Sequence, residues 1–197
     1  ILTALLGSDS VSRSVALQVP TVAGGIDLIA GVVAGTPIKL YRETDGQAQE
    51  VRNDPRLRLL NDETGDALNA NEFWRAIVRD YYLGKGGFAY IHKERGTFKS
   101  LHYVDERQIS IQKNADPIFK DFRIMVDGRT YQPFEFFRIL RNTKDGATGT
   151  PITEESSKLI DAAYQSLCLE RNASRKGGAK KGFLQSKHPL SAEALVE

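Results

Sequence analysis

Cysteine is nearly absent. Cys168 is the only one in 197 residues, which excludes an internal disulfide framework and a cysteine-built zinc site and fits a reducing compartment. No stretch approaches the roughly 18 consecutive apolar residues of a membrane-spanning helix. The nearest candidate, Val19 to Ile38, is broken by Pro20, Gly24, Gly25, Asp27, Gly31 and Gly35. An excess of one charge is also missing. Twenty-seven Lys+Arg stand against 25 Asp+Glu, so net charge does not mark a nucleic-acid coat. The opening ILTALLGSDSVSRS lacks an initiator Met and a charged n-region, and reads as a chain entered partway, not a signal peptide. Near the other end Ser191 is an N-cap candidate. Too few residues follow it for a stable helix, so the natural protein is expected to continue beyond Glu197.

What is present is an alternation of helices and strands. Residues 1–18 read as an N-terminal arm without clear period. Pro20 suits a first helical turn, and Val22, Ile26, Ile29 and Val33 share one helical face. Gly35 and Pro37 end that helix, and Ile38 to Arg42 reads as a strand turning at Asp45-Gly46. Leu57, Leu59 and Leu60 predict a short helical turn after Pro55. Asn69 and Glu72 have the spacing of a capping box, with Phe73, Ile77, Val78 and Tyr81 as the apolar stripe, Trp74 half-buried at its edge and Gly84 as a left-handed C-cap. Strands are expected at Phe88–Lys93, Phe98–Val104, Gln108–Gln112, Phe119–Val126 and Phe134–Leu140, with a turn at Asp127-Gly128. A polar loop, 142–150, precedes the longest helix, 152–176, whose stripe includes Leu159, Ile160, Ala163, Tyr164, Leu167 and Cys168. The fold class is α+β: helices packed on a mixed, mainly antiparallel sheet, as one domain over 19–197.

Candidate chemistry is sparse. The cluster Gly84-Lys85-Gly86-Gly87 follows a helix and precedes a strand, the reverse of a phosphate-binding loop, so it reads as a helix end and hinge. With Arg95-Gly96 as the hairpin turn, His92 pairs with Lys99 and His102 with Ala89. The two histidines then sit on opposite faces and cannot share a metal. Asp105-Glu106 and Glu154-Glu155 read as helix-start carboxylates, and Cys168 as a core residue. No cofactor or metal site is expected. One charge feature stands out: Arg171, Arg175, Lys176, Lys180, Lys181 and Lys187 follow one another with no acid between Arg171 and Lys187. Such a patch can contact DNA phosphates through counterion release or meet an acidic partner.

Three segments together resemble the N-terminal half of the tailed-phage portal proteins, the head–tail connectors of the HK-ninety-seven-like family. VPTVAGGIDLIAGVVAGTPIKLYRE is similar to the family's first helix and strand. EFWRAIVRDYYLGKGGFAYI is similar to its helix, glycine and tyrosine-bearing strand. TGTPITEESSKLIDAAYQSLCLERNASRKGGAKKGFLQS is similar to its glycine-rich loop, Pro-headed helix and short strand. Where relatives commonly read Gly-Asn-Ala-Tyr, this chain has Gly87-Phe88-Ala89-Tyr90, and Arg138 stands where a later strand usually carries His.

The resemblance implies a wing-type domain cut before the stem and clip, and a protein that is not an enzyme. It implies a homo-oligomeric ring, usually of twelve copies, at a capsid vertex of the virion, assembled in the host cytoplasm. Double-stranded DNA would pass through the channel in packaging and ejection, with terminase, capsid protein and head–tail adaptor as partners and no membrane. The residues alone also admit a monomeric nucleic-acid-binding α+β domain using the Arg171 to Lys187 patch, or a small hydrolase or transferase without a visible site.

Overall fold

Asn69 and Glu72 close the capping box that the sequence predicts. The Asn69 side chain accepts from the Glu72 N–H at 2.9 Å, and the Glu72 carboxylate accepts from the Asn69 N–H at 3.3 Å. These bonds satisfy amides that open a helix without intrahelical partners. The computed structural model describes residues 11–116 and 118–175, and the capped helix lies at their centre.

Six α-helices, eight strands and two short 3-10 helices (Glu106–Gln108 and Pro133–Glu135) occur among the described residues. The helices are α1 (Arg13–Ala16), α2 (Pro20–Gly35), α3 (Pro55–Asn61), α4 (Ala70–Leu83), α5 (Ile152–Glu155) and α6 (Ser157–Arg175). The strands are β1 (Leu40–Thr44), β2 (Gln47–Val51), β3 (Gly87–Glu94), β4 (Thr97–Val104), β5 (Ile109–Lys113), β6 (Phe122–Val126), β7 (Arg129–Tyr131) and β8 (Phe136–Ile139). They form a β1-β2 ribbon and two three-stranded sheets, ordered β4-β3-β8 and β5-β6-β7, with every named pair antiparallel. The fold class is therefore α+β. The described chain divides into one unit running through Tyr164 and a second beginning at Gln165.

Strand alternation builds the core of the first unit. On β3, Ala89 and Ile91 face α4 and join Phe73, Trp74, Ile77 and Leu101. Phe88 and Tyr90 point the other way, to Ile109, Ile124 and Phe136, as the period of two requires. On α4, Asn71, Arg75 and Arg79 meet α2 through Ala34, Gly31 and Asp27. At 100° per residue these three lie opposite Phe73, Ile77 and Asp80. The layers thus run α2, α4, the β3 sheet, then the β6 sheet. Trp74 is more buried than its place at the stripe's edge suggests, because its Nε1–H donates to the Leu60 carbonyl at 2.9 Å.

Several expectations need correction. The Phe119–Val126 strand starts only at Phe122, and residues 118–121 belong to the β5–β6 loop. The long helix is interrupted at Ser156, whose φ of −113° and ψ of 23° separate α5 from α6. Of the stripe proposed for that helix only Ile160 is buried, and Leu159 is exposed. On α2 the buried residues are Ile26 and Ala30, while Ile29 and Val33 stay partly in water, because the residues that meet α4, Asp27, Gly31 and Ala34, lie more than a quarter of a turn from the expected face.

Gly84 ends α4, but not in a left-handed conformation. Its φ is −134° and ψ −166°, an extended backbone open to any residue. Space is what demands glycine there: a Cβ would stand 2.5 Å from Glu106 Cδ. Gly84→Val is therefore expected to lower stability by about 1–3 kcal/mol through overpacking. Gly84→Val combined with Glu106→Ala should recover most of that in a urea titration. Equal losses in the single and double variants would place the strain elsewhere.

Candidate functional site

The patch singled out in the sequence is only partly on view. Arg171 and Arg175 are exposed near the end of α6, with Arg175 in the last turn, where cations oppose the helix dipole. Lys176, Lys180, Lys181 and Lys187 lie outside the described residues.

The histidines show what a strand bulge does. The β3–β4 hairpin turns at Arg95-Gly96, with φ of 49° and 80°, and pairs Glu94 with Thr97 and Lys93 with Phe98. A register shift then leaves Lys99 unpaired, so His92 opposes Ser100 and Tyr90 opposes His102. One extra residue moves every later side chain to the other face. His92 and His102 consequently share a face, their rings 6.3 Å apart. This overturns the opposite-face expectation, which assumed an unbroken register.

His102 also links two side chains that sequence spacing does not bring together. Its Nε2 lies 2.7 Å from Ser100 Oγ, and its Nδ1 lies 3.2 Å from Asp66 Oδ1. The order is that of a nucleophile, base and orienting carboxylate. None of the three lines any of the described surface depressions of the chain. The two most open are lined by residues such as Arg52, Asp54 and Arg58, or Glu94, Arg95 and Lys99, and a more enclosed one by Lys113, Asp116, Phe122 and Asp145. Among the described residues no group of three or more His, Cys, Asp or Glu could hold a metal ion, and no helix is long and apolar enough to cross a membrane.

The most buried polar centre escaped the sequence reading altogether. Asp80 is fully buried on the sheet side of α4. Its Oδ2 accepts from the Tyr103 hydroxyl at 2.6 Å and from the Glu106 N–H at 3.4 Å. Its Oδ1 lies 2.8 Å from Arg13 Nη1 but out of hydrogen-bond alignment, so that contact is chiefly Coulombic. Arg13 thereby fastens α1 to the core, and Val11 adds a backbone bond to Thr153. An acid at the edge of an apolar stripe reads as solvated, which is why spacing alone did not reveal it.

Burial, followed by the hydrogen bond to Asp80, pushes the Tyr103 phenol above its ordinary range. A phenol protonated in the folded chain and free to ionise at about pH 10 when unfolded contributes stability below that pH and loses it above. Stability should therefore fall more steeply above pH 10 in the wild type than in Tyr103→Phe, by up to about one proton's slope. Urea midpoints across that range decide it, and parallel curves would remove Tyr103 from the account.

Arg138 has a visible task. Its guanidinium lies 4.7 Å from the Phe122 ring centre and donates to the Gly146 carbonyl at 2.9 Å. It stacks on the second sheet while holding the 142–150 loop. In that loop Asp145 accepts from the Ala147 and Thr148 N–H groups, each at 2.8 Å, and pairs with Lys113.

This arrangement of layers has known counterparts. The sequence profile of the phage portal protein family matches residues 20–197. No curated protein matches. Among solved structures, an HK97 family phage portal protein from Corynebacterium diphtheriae is similar at 14% identity and a TM-score of 0.62, over 92% of this chain and 56% of that one. A chain in the neck of an empty GTA particle, computed with C6 symmetry, is similar at 16% identity and 0.63, over 90% and 50%. One from the neck of a native GTA particle, computed with C12 symmetry, gives 16% and 0.59, over 90% and 49%. At such identities the likeness establishes the fold, and this chain spans about half the length of each. With residues 20–197 matched by the profile, the chain belongs to the phage portal protein family.

Proposed function

We propose that this chain is the wing portion of a portal subunit, and that copies of the full-length protein form a ring, of twelve in our reading, at one capsid vertex. Genomic DNA enters and leaves through the ring's channel, the terminase docks on it for packaging, and capsid protein and a head–tail adaptor complete the vertex. The observation that carries the reading is the family match over residues 20–197. The C12 symmetry of a GTA neck that contains a similar chain supports the ring. Membership of the family makes the chain a structural part rather than an enzyme.

The physical character of the molecule agrees. Charge is balanced, and the buried polar groups serve packing. Arg171 and Arg175, with Lys176, Lys180, Lys181 and Lys187, are the proposed contacts to DNA or an acidic partner. Particles made without this protein are expected to lack packaged DNA, and reversing Arg171 and Arg175 to Glu should reduce packaging while rings still assemble. Particles that fill normally in its absence would overturn the reading.

A further inference from the structure

Three two-residue hairpins occur among the described residues, and one departs from the pattern of the other two. The β1–β2 and β6–β7 turns are Asp45-Gly46, with φ of 54° and 76°, and Asp127-Gly128, with φ of 48° and 74°. A turn with two positive φ angles favours Asp-Gly or Asn-Gly, since Asp and Asn tolerate the left-handed region that other side chains resist. The β3–β4 turn puts Arg95 in the first position, at φ 49°. No contact within the fold accounts for that choice. Arg95 is exposed, and among the described residues neither it nor Lys93 pairs with an acid. Lys93 lies over the Phe98 ring, 4.8 Å from its centre. From Lys93 to Lys99 the tip holds three cations and one acid. That acid, Glu94, is already shared by Lys99 at 3.7 Å and His92 at 3.6 Å.

We infer that the β3–β4 tip is a contact to duplex DNA, seated in the major groove with its cations on the phosphate walls. The inference rests on the reading of the ring as a DNA conduit and names a segment of the first unit that touches the duplex. The placement of charge is what selects DNA. Successive strand residues point to opposite faces, so Lys93 and its partner Phe98 occupy one face of the ribbon, and Glu94 and Thr97 the other. Lys99, left unpaired by the bulge, reaches Glu94 on that second face. Arg95 and Lys99 border a shallow depression there with Glu94 and Thr97. Cations thus stand on both faces of a two-stranded ribbon, an element that the major groove admits. A flat acidic protein surface would meet only one of those faces. Lys and Arg on phosphates fix position without reading sequence, as passage of a whole genome requires.

A short fluorescent duplex of mixed sequence, titrated with the full-length protein at increasing KCl, tests the contact. Lys93→Ala, Arg95→Asn and Lys99→Ala together remove three phosphate contacts. The slope of log affinity against log salt should then become shallower by about 2–3, and low-salt affinity should fall at least about tenfold. The loss should be equal on a second duplex of unrelated sequence. Arg95→Asn alone should weaken binding while raising the melting temperature, because Asn accepts the left-handed turn. A lower melting temperature with unchanged binding would make Arg95 a structural residue and count against the contact. Coincident salt slopes for the wild type and the triple variant, or a wild type that binds no duplex at low salt, would overturn it. Rings seen alongside that result would leave the ring reading intact and the tip to an acidic protein partner. Duplex binding that the triple variant loses, in a protein that forms no rings, would overturn the ring reading and uphold the tip contact.

Discussion

Arg13→Ala is expected to destabilise the protein by about 3 kcal/mol, because it leaves the carboxylate of Asp80 buried without the one cation that stands at close range among the described residues. Asp80 is wholly inaccessible, whereas Arg13 keeps about a quarter of its side chain in water. Removing the arginine therefore costs far more than removing an exposed partner, for which about 1 kcal/mol is a ceiling. Tyr103 and the Glu106 N–H still solvate Oδ2, which keeps the loss below the upper end for a broken buried pair. Arg13→Ala with Asp80→Asn should recover more than half the loss, since the neutral amide no longer needs the cation. Urea midpoints for the three proteins give the answer. A loss under about 0.5 kcal/mol for Arg13→Ala would mean that the pair behaves as a surface contact.

The second large effect is expected at Gly87, where β3 passes under α4. A Cβ there would lie 2.6 Å from the Ile77 carbonyl oxygen and 2.7 Å from its Cγ2. A backbone oxygen in mid-helix cannot swing aside, so the helix and the sheet must separate. Gly87→Val is expected to cost about 3 kcal/mol, the upper part of the range for overpacked cores. Gly96→Ala meets no neighbour and acts only through its positive φ, so its loss should be about 1 kcal/mol. Calorimetric melting of both variants tests the comparison, and similar melting temperatures would show that α4 does not rest on β3 so closely.

These residues show where sequence reasoning reaches. The capping box at Asn69 and Glu72, the Pro20 helix start, and the turns at Asp45-Gly46 and Asp127-Gly128 depend on neighbours in the chain, and all were legible. The glycine hinge was legible as a feature but not in its cause: Gly84 and Gly87 answer to Glu106 and Ile77, which spacing cannot place. The His92–His102 face was misjudged because the bulge at Lys99 has no local signature. Asp80 stayed hidden because its partners, Arg13, Tyr103 and Glu106, come from three separate elements. Half of the α2 stripe was assigned inward, whereas Ile29 and Val33 stay partly in water and Ala30 takes the buried place.

The central claim is that copies of the full-length protein close into a ring with this chain's unit at its wing. Electron cryomicroscopy of the purified full-length protein, with rotational symmetry counted before any is imposed, tests it most directly. The account predicts closed rings of about twelve subunits around a central hole, with the layers α2, α4 and the two sheets recognisable in each subunit. A homogeneous monomer at high concentration, with no closed species, would contradict it and favour a nucleic-acid-binding module acting through Arg171 and Arg175.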